Sequence, residues 1–329
     1  HHAVRTAAGL FDLSHMGEIF VVGPEAAAAL DFALSGRMSA LAEGQAKYTL
    51  LLAESGGIID DLIVYRTGED RFLVVANASN RETVADELRA RVGDFDALIE
   101  DESDDLALIA IQGPRAREIL AGVETLTSET APIDEALESL RYYRALRAGF
   151  HGMPILIART GYTGEDGFEL FLAPEQARAL WDALLETGAG AGLVPAGLAC
   201  RDTLRLEAGM PLYGHELDID ILPAQAGLAR VVILGDHRFI GREAVEAGEP
   251  PEGDSLRAGQ VLVGLTSEGK RAGRAGYLLH ASADGDDVVG RITSGALSPT
   301  LGHPIAMAFV DPDLVALGTP LYIDVRGTR

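Results

Sequence analysis

The stretch GGIIDDLIVY at residues 56–65 sets two adjacent aspartates inside a run of isoleucine, leucine and valine. Short runs of β-branched and aliphatic residues are typical of strands, and the preceding Ser55-Gly56-Gly57 is typical of a hairpin turn. Residues 48–53, YTLLLA, form a second strand-like run before that turn. Two strands joined by so short a turn pair antiparallel, so the sequence predicts a sheet that is at least partly antiparallel.

The two aspartates of this run face opposite ways if the run is a strand. Alternation puts Asp61 on the face of Ile63 and Tyr65, and it puts Asp60 on the other face. At least one carboxylate then lies among apolar neighbours, where it needs a partner or shifts its pKa, and such positions are enriched at sites of chemistry. The alternative is that both aspartates finish the turn and are solvated.

Helix-like and strand-like segments alternate through the first 245 residues. Strands are predicted at residues 17–22, 72–76, 154–158 and 168–172, and helices at residues 24–34, 174–186 and 197–209. A polar helix ending near residue 92 is predicted to have Ser79 as its cap. The pattern is mixed α and β throughout.

A change in composition divides the chain near its C-terminal quarter. Residues 246–259 are rich in Gly, Pro and Glu without periodicity, which indicates a linker. Five short strand-like runs follow, at residues 260–265, 277–280, 288–292, 304–310 and 320–325. Their spacing predicts a small all-β domain over residues 260–329.

The composition excludes several classes of protein. The chain has 329 residues, of which 27 are Lys or Arg and 50 are Asp or Glu, giving a formal charge of −23. So acidic a chain repels phosphate backbones, which argues against nucleic acid as a partner. No run reaches the ~18 consecutive apolar residues that a membrane-spanning helix requires, so no membrane association is expected.

The sequence contains no phosphate-binding loop, no dinucleotide-binding glycine pattern and no HExxH motif. The eight histidines are scattered, so no metal is expected, and the single cysteine, Cys200, excludes an intramolecular disulfide. Cys200 is interpreted as a packing residue of its helix. The first residues show no charged and apolar leader, so a cytoplasmic location is expected.

A glycine-rich segment, TGYTGEDGFE at residues 160–169, connects two of the predicted strands. Its three glycines allow backbone geometries closed to other residues, so a flat ligand can approach the main chain. Glu169 alternates with apolar residues, and a half-buried carboxylate there could accept two parallel N–H donors, as an aminopyrimidinone ring presents. The alternative is a hairpin loop with Glu169 on the surface.

The predicted helix at residues 197–209 carries Arg201 and Arg205 one turn apart on one face. Asp202 can pair with Arg205 three residues later, so an intrahelical ion-pair network is one interpretation. That network does not exclude a ligand for Arg201.

Seven segments in chain order carry a family resemblance. They are FDLSHM (11–16), GGIIDDLIV (56–64), QGP (112–114), TGYTGEDGFE (160–169), ACRDTLRLEAGMPLY (199–213), FIGRE (239–243) and ITSGALSPTLG (292–302). Together they span nearly the whole chain and closely resemble the T-proteins of the glycine cleavage system, a family of aminomethyltransferases.

The resemblance implies an α+β fold of three lobes with mixed and antiparallel sheets. Residues 1–245 would form a folate-binding body of two interleaved α+β lobes, and residues 260–329 a β-barrel-like domain. The implied reaction transfers the methylene of the aminomethyl-lipoyl arm of H-protein to tetrahydrofolate and releases ammonia. Tetrahydrofolate is then a co-substrate, lipoylated H-protein is the partner, and no metal is needed.

The resemblance also assigns site residues by position. Asp61 matches the important acid, Glu169 and Arg201 match the pair that holds the pterin, and Arg274 matches an arginine near the lipoyl entrance. The positions that match the rest of the folate-site lining are Tyr48, Ile63, Tyr65, Asn77 and Tyr162.

Family members usually have further residues before and after the ends of this sequence, including a C-terminal tyrosine near the ligand. A chain complete as given would therefore lack part of the pocket wall.

Two other functions remain open at this point: a tetrahydrofolate-dependent demethylase of a small methylated amine, thioether or ether, and a non-catalytic folate-binding protein. The latter group usually has a cysteine-containing signature, and Cys200 does not lie in one.

Overall fold

The computed structural model describes residues 1–248 and 259–325. The strands in these ranges are β1 (Ala8–Asp12), β2 (Gly17–Val22), β3 (Ala46–Leu52), β4 (Ile58–Gly68), β5 (Arg71–Ala76), β6 (Leu98–Asp101), β7 (Ala107–Gln112), β8 (Leu126–Ser128), β9 (Ala145–Phe150), β10 (Met153–Ala158), β11 (Gly167–Leu172), β12 (Leu193–Pro195), β13 (Val261–Thr266), β14 (Leu278–His280), β15 (Val288–Leu297), β16 (Pro304–Val310) and β17 (Tyr322–Ile323).

Helices connect many of these strands. The α-helices are α1 (His2–Thr6), α2 (Ala26–Ala33), α3 (Arg81–Val92), α4 (Ala116–Ala121), α5 (Ile133–Ser139), α6 (Pro174–Gly188), α7 (Leu198–Glu207) and α8 (Arg242–Ala247). Short 3-10 helices lie at Ala78–Asn80, Ala189–Ala191, Ala229–Val231 and Pro312–Leu314.

The strands form a seven-stranded sheet and two five-stranded sheets. The largest has the order β12-β1-β7-β11-β10-β9-β8, in which β12 pairs parallel with β1 and the other neighbours pair antiparallel. The second sheet has the order β3-β4-β5-β2-β6, and the third has the order β13-β16-β15-β14-β17. These sheets and helices confirm the predicted α+β class, and the third sheet confirms the five C-terminal strands.

The chain divides into two compact units, each built from segments that are distant in sequence. The first unit comprises His1–Leu30, Arg37–Tyr48 and Leu62–Leu204. The second comprises Asp31–Gly36, Thr49–Asp61 and Arg205–Arg329. The division falls within β3 and β4, so each of these strands contributes residues to both units.

The seven-stranded sheet of the first unit is covered on both faces. All six residues of β7 are buried. Successive residues of this strand point to opposite faces of the sheet and belong to two different hydrophobic clusters. Ile109 and Ile111 pack with Leu120 of α4 and Leu184 of α6, whereas Leu108 belongs to a cluster on the opposite face. A strand that is buried on both faces reads as a continuous apolar run, which explains the sequence ALIAIQ.

The cluster on the opposite face joins two sheets of the first unit, and we call it the intersheet layer. Phe20 of β2, Tyr65 of β4 and Leu73 of β5 contribute to it from the five-stranded sheet. Leu108 of β7 and Phe171 of β11 contribute from the seven-stranded sheet, and the Tyr65 and Phe171 rings meet edge to face with centroids 5.6 Å apart. Burial of each such side chain contributes about 1.5–3 kcal/mol to the stability of this layer.

A buried ion pair lies inside the second unit. The Arg205 guanidinium donates to Glu216 Oε2 at 2.9 Å and to Ser294 Oγ at 2.8 Å. The side chain of Arg205 is 1% exposed and that of Glu216 is 0% exposed. Thr293 Oγ1 donates to Glu216 Oε1 at 2.5 Å. Thr293 is the extra residue where the β15–β16 register shifts between Ile292 and Ser294, and such bulges re-aim a side chain.

We expect Arg205→Met to lower the free energy of unfolding by about 3–5 kcal/mol, because it leaves the buried Glu216 carboxylate without its cation. Urea unfolding measures this effect. The double variant Arg205→Met/Glu216→Leu removes both charges and should recover much of the loss. A single variant as stable as the parent protein would show that the pair does not stabilise the second unit.

Two details differ from the sequence predictions or fall partly outside the structure. The prediction of Ser79 as a helix cap is wrong, because a 3-10 turn precedes α3 and Asn80 occupies its N-cap position without a side-chain capping bond. The predicted linker at residues 246–259 overlaps the end of α8, and residues 249–258 lie outside the described residues.

In the part of the chain that the structure describes, no helix has the length and apolar character to cross a membrane.

Candidate functional site

Glu169 lies on β11 and faces the intersheet layer. It pairs across the sheet with Ala110 of β7 and Ala158 of β10, and it alternates with Phe171, which belongs to that layer. The residue is 8% exposed. The predicted burial of this carboxyl group is therefore confirmed, and the alternative of a surface glutamate is wrong.

The two oxygens of Glu169 differ in their surroundings. Oε2 accepts hydrogen bonds from Thr160 Oγ1 at 2.5 Å and from the Tyr65 hydroxyl at 3.3 Å. Burial, together with the nearby Glu169 carboxylate, raises the pKa of Tyr65 well above its usual value, so the phenol stays a neutral donor. Oε1 accepts no hydrogen bond from the described residues, so it is available to a ligand.

A cation and an aromatic ring lie close to this carboxylate in the same unit. Arg201 on α7 is half-buried, and its Cζ lies 4.9 Å from the centroid of the Tyr162 ring. Burial lowers the pKa of Arg201, and the Glu169 carboxylate and Tyr162 act in the opposite direction. The structure thus brings four predicted site residues together in the first unit, namely Glu169, Arg201, Tyr65 and Tyr162.

The side chain of Gln112, the last residue of β7, forms hydrogen bonds with the glycine-rich segment. Gln112 Nε2 donates to the Thr160 carbonyl at 3.0 Å, and Gln112 Oε1 accepts from Thr163 Oγ1 at 2.9 Å. A Cβ atom at Gly161 would lie 2.0 Å from Gln112 Oε1, and one at Gly167 would lie 2.4 Å from Gln112 Nε2. These two glycines are required by the Gln112 side chain, whereas the sequence suggested the approach of a ligand.

The double-aspartate run is a strand along its whole length, as predicted. Asp60 is fully buried at 0% exposure, and Asp61 is half-buried. One carboxyl group therefore does lie in the interior, and the alternative in which both aspartates finish a turn is wrong. Alternation along β4 places Asp61 on the face of Ile63 and Tyr65, both of which contact the intersheet layer.

The remaining predicted residues lie on three different elements. Tyr48 is a half-buried residue of β3, and Asn77 is half-buried immediately after β5. Arg274 belongs to the second unit, where it is exposed in a turn before β14 and its carbonyl accepts a hydrogen bond from Tyr277 N at 3.0 Å.

Two titratable residues near this cluster were missed by the sequence analysis. Partial burial and the nearby Arg201 lower the pKa of His15, which follows β1. Glu18 of β2 is fully buried, and its position in alternation with Phe20 and Val22 was a signal that sequence reasoning could have used.

Comparisons with known proteins agree along the whole chain. The sequence model of the GCVT N-terminal domain matches residues 1–235, and that of the glycine cleavage T-protein C-terminal barrel domain matches residues 260–329. An aminomethyltransferase of Cutibacterium acnes is 55% identical over 330 residues, which cover 99% of this chain and 85% of that protein. An aminomethyltransferase of Streptomyces avermitilis is 55% identical, over 100% of this chain and 85% of that protein.

A solved structure is similar over the same range. The glycine cleavage system aminomethyltransferase T from Bartonella henselae superposes with a TM-score of 0.86 at 34% sequence identity, covering 100% of this chain and 85% of that one. The family models over both parts of the chain, the relatives that align along nearly all of it and the similar solved structure all indicate the same family. The chain belongs to the glycine cleavage T-protein family of aminomethyltransferases.

Proposed function

We propose that this chain is the aminomethyltransferase of a glycine cleavage system. It transfers the methylene carbon of an aminomethyl group, carried on the lipoyl arm of H-protein, to tetrahydrofolate, and it releases ammonia. The full-length relatives named aminomethyltransferase support this activity. The structural observation that carries it is the buried Glu169 carboxylate, with one oxygen open to a ligand and Arg201 beside it.

The pterin ring binds at Glu169 and Arg201 in this proposal. The aminopyrimidinone edge of a pterin presents parallel N–H donors, and the open oxygen of Glu169, Oε1, is an acceptor for them. Thr160 and Tyr65 hold Oε2 of Glu169 in place, so the orientation of the carboxylate is set before the ligand arrives. The residues that line the rest of the folate site are Tyr48, Ile63, Tyr65, Asn77 and Tyr162.

Asp61 acts on the carbon that is transferred. The carbon loses its bond to the amine, which leaves as ammonia, and its bond to sulfur, which stays on the lipoyl arm as a thiol, while it gains bonds to two nitrogens of tetrahydrofolate whose N–H protons pass to the two leaving groups. Between these bond changes the carbon is electron-poor and iminium-like. A fixed carboxylate beside it stabilises the developing positive charge and orients the folate nitrogen that attacks. Asp61 therefore works by electrostatics and hydrogen bonding, and forms no covalent bond with the substrate.

The H-protein must deliver its lipoyl arm to the site. Arg274 lies at the entrance for that arm in this proposal, and its exposed guanidinium suits a rim position. Rim charges change the association rate and its salt dependence more than the affinity.

An ammonia-release assay tests the proposed function. We expect ammonia only when aminomethylated, lipoylated H-protein and tetrahydrofolate are both supplied, with H-protein lacking lipoate as the control. Release of a one-carbon unit from a small methylated amine without H-protein would instead identify a demethylase. Folate binding without any turnover would identify a non-catalytic folate-binding protein, and either outcome would overturn the proposal.

A further inference from the structure

Arg5 on α1 is a largely shielded cation to which the proposed reaction gives no role. One nitrogen of its guanidinium, Nη1, donates to the Thr163 carbonyl at 2.6 Å and pairs with Glu165 Oε1 at 2.9 Å. The other terminal nitrogen, Nη2, donates to the Leu204 carbonyl at 3.3 Å. The Arg5 side chain is 15% exposed. One side chain therefore joins α7 to the glycine-rich segment at residues 160–169.

The two segments that Arg5 joins carry the arginine and the aromatic ring of the proposed site. Thr163 follows Tyr162 directly in the chain, and Leu204 lies about one helical turn after Arg201 on α7. The Arg201 Cζ lies 4.9 Å from the centroid of the Tyr162 ring. All of these residues belong to the first unit. A guanidinium that bonds to the backbone beside both residues therefore fixes the spacing between Arg201 and Tyr162.

The same segment is connected to the Glu169 carboxylate through side chains. Thr163 Oγ1 donates to Gln112 Oε1 at 2.9 Å, and Gln112 Nε2 donates to the Thr160 carbonyl at 3.0 Å. Thr160 Oγ1 donates in turn to Glu169 Oε2 at 2.5 Å. All four of these residues are buried, and a buried network of this kind is rigid when its members are satisfied. Arg5 thus holds one end of a network that reaches the pterin-binding carboxylate.

Arginine suits this bridge by its geometry. A guanidinium is a planar fork whose N–H groups point in different directions, whereas a lysine ammonium is a single point charge. Leu204 lies in the last turn of α7, where the carbonyl groups form the negative end of the helix dipole, so a cation is favourable there. Glu165 balances the charge of Arg5 from the other side, and its side chain is 26% exposed.

We propose that Arg5 is a positioning residue of the folate site, which sets the spacing of Tyr162 and Arg201 by bonding to the backbone beside each. This inference rests on the proposed function. A site that is ordered before its ligand arrives loses less conformational freedom on binding. Without the bridge, the pterin itself must order the glycine-rich segment against α7, so its affinity falls while the chemical step is unaffected.

The test compares tetrahydrofolate binding and turnover in Arg5→Gln and the parent protein. We expect Arg5→Gln to raise the Kd, measured by calorimetry under anaerobic conditions, about tenfold, because the ligand must now order the segment. Turnover at saturating tetrahydrofolate and aminomethylated H-protein should stay within about twofold of the parent value, since the loss is in binding. Arg89→Gln removes an exposed arginine of α3 that pairs with Asp86, and it should bind as the parent does.

A double-mutant cycle with Arg201 separates positioning from a general loss of structure. Arg201→Gln alone should weaken binding, because Arg201 meets the pterin in the proposed function. The spacing that Arg5 sets has no further effect once Arg201 is absent, so Arg5→Gln should raise the Kd less than about twofold in the Arg201→Gln background. Fully additive effects would overturn the positioning role.

Two further variants distinguish the bridge from its charge and from a failure to fold. Arg5→Lys keeps the cation beside Glu165 but cannot hold the Thr163 and Leu204 carbonyls as a fork does, so its Kd should rise nearly as much as in Arg5→Gln. Glu165→Gln removes the ion pair and leaves both carbonyl bonds, so its Kd should stay within about threefold of the parent value. Urea unfolding checks that each variant is folded.

The outcomes separate this inference from the proposed function. A parent-like Kd in Arg5→Lys, or a loss of turnover at saturating folate without a change in Kd, would overturn the positioning role while folate binding stands. Failure of the parent protein to bind tetrahydrofolate would overturn the proposed function and this inference with it.

Discussion

Replacing Asp61 by asparagine is expected to lower turnover by ~10²–10⁴-fold, with the affinity for tetrahydrofolate unchanged within a few-fold. Asparagine has nearly the size and shape of aspartate, so the half-buried position on β4 tolerates it. The amide carries no negative charge, however, and it cannot stabilise an iminium-like carbon. Single-turnover kinetics with aminomethylated H-protein measure the chemical step, and calorimetry measures folate binding on the same sample.

The matched control for this variant is Asp70→Asn. Asp70 is an exposed residue in the turn between β4 and β5, so its replacement makes the same change in formal charge without touching the proposed site. We expect its turnover to equal that of the parent protein. Near-normal turnover of Asp61→Asn would remove this residue from the mechanism.

Replacing Glu169 by glutamine is expected to weaken tetrahydrofolate binding by about 1–3 kcal/mol, which is roughly a 5- to 150-fold increase in Kd. The amide keeps one acceptor oxygen but turns an N–H donor toward the donors of the pterin or toward the Thr160 hydroxyl. Calorimetric titration with tetrahydrofolate gives this Kd directly. Glu175→Gln, on the exposed start of α6, is the control and should bind as the parent does.

The two variants should also differ in their kinetics. Asp61→Asn lowers turnover at saturating folate, whereas Glu169→Gln raises the folate concentration that half-saturates the enzyme. An unchanged folate affinity in Glu169→Gln would show that the pterin does not meet this carboxylate.

Most of the strands could be predicted from local patterns because each pattern has a direct structural cause. The run at β7 is apolar at both alternating positions since both of its faces are covered, and the double-aspartate strand follows a glycine turn. The start of α3 could not be placed in the same way. Ser79 is a good cap by residue type, but a 3-10 turn uses Ala78–Asn80 and moves the start of the helix to Arg81.

The site was less visible in the sequence than the fold. Residue type and alternation were enough to single out Glu169, and its burial agrees with them. The roles of Thr160 and Gln112 depend on side-chain contacts across the sheet, which no local pattern encodes. Glu18 had a local signal, a charged residue in an apolar row, but its lack of a partner became visible only in the packed structure.

The division of the chain into two units shows a further limit of local reasoning. The segments Asp31–Gly36 and Thr49–Asp61 belong to the same unit as the C-terminal part of the chain, whereas their sequence neighbours belong to the other. Composition marks a linker between consecutive segments, but it carries no sign of segments that cross between units. Only long-range packing determines that membership.

A crystal structure of the protein with bound tetrahydrofolate tests the central claim most directly. The account predicts electron density for the aminopyrimidinone ring within hydrogen-bond distance of the Glu169 carboxylate, with the Asp61 carboxyl group next to the folate nitrogens that accept the carbon. A pterin bound away from Glu169, or an Asp61 side chain that points to bulk water far from the ligand, would contradict it.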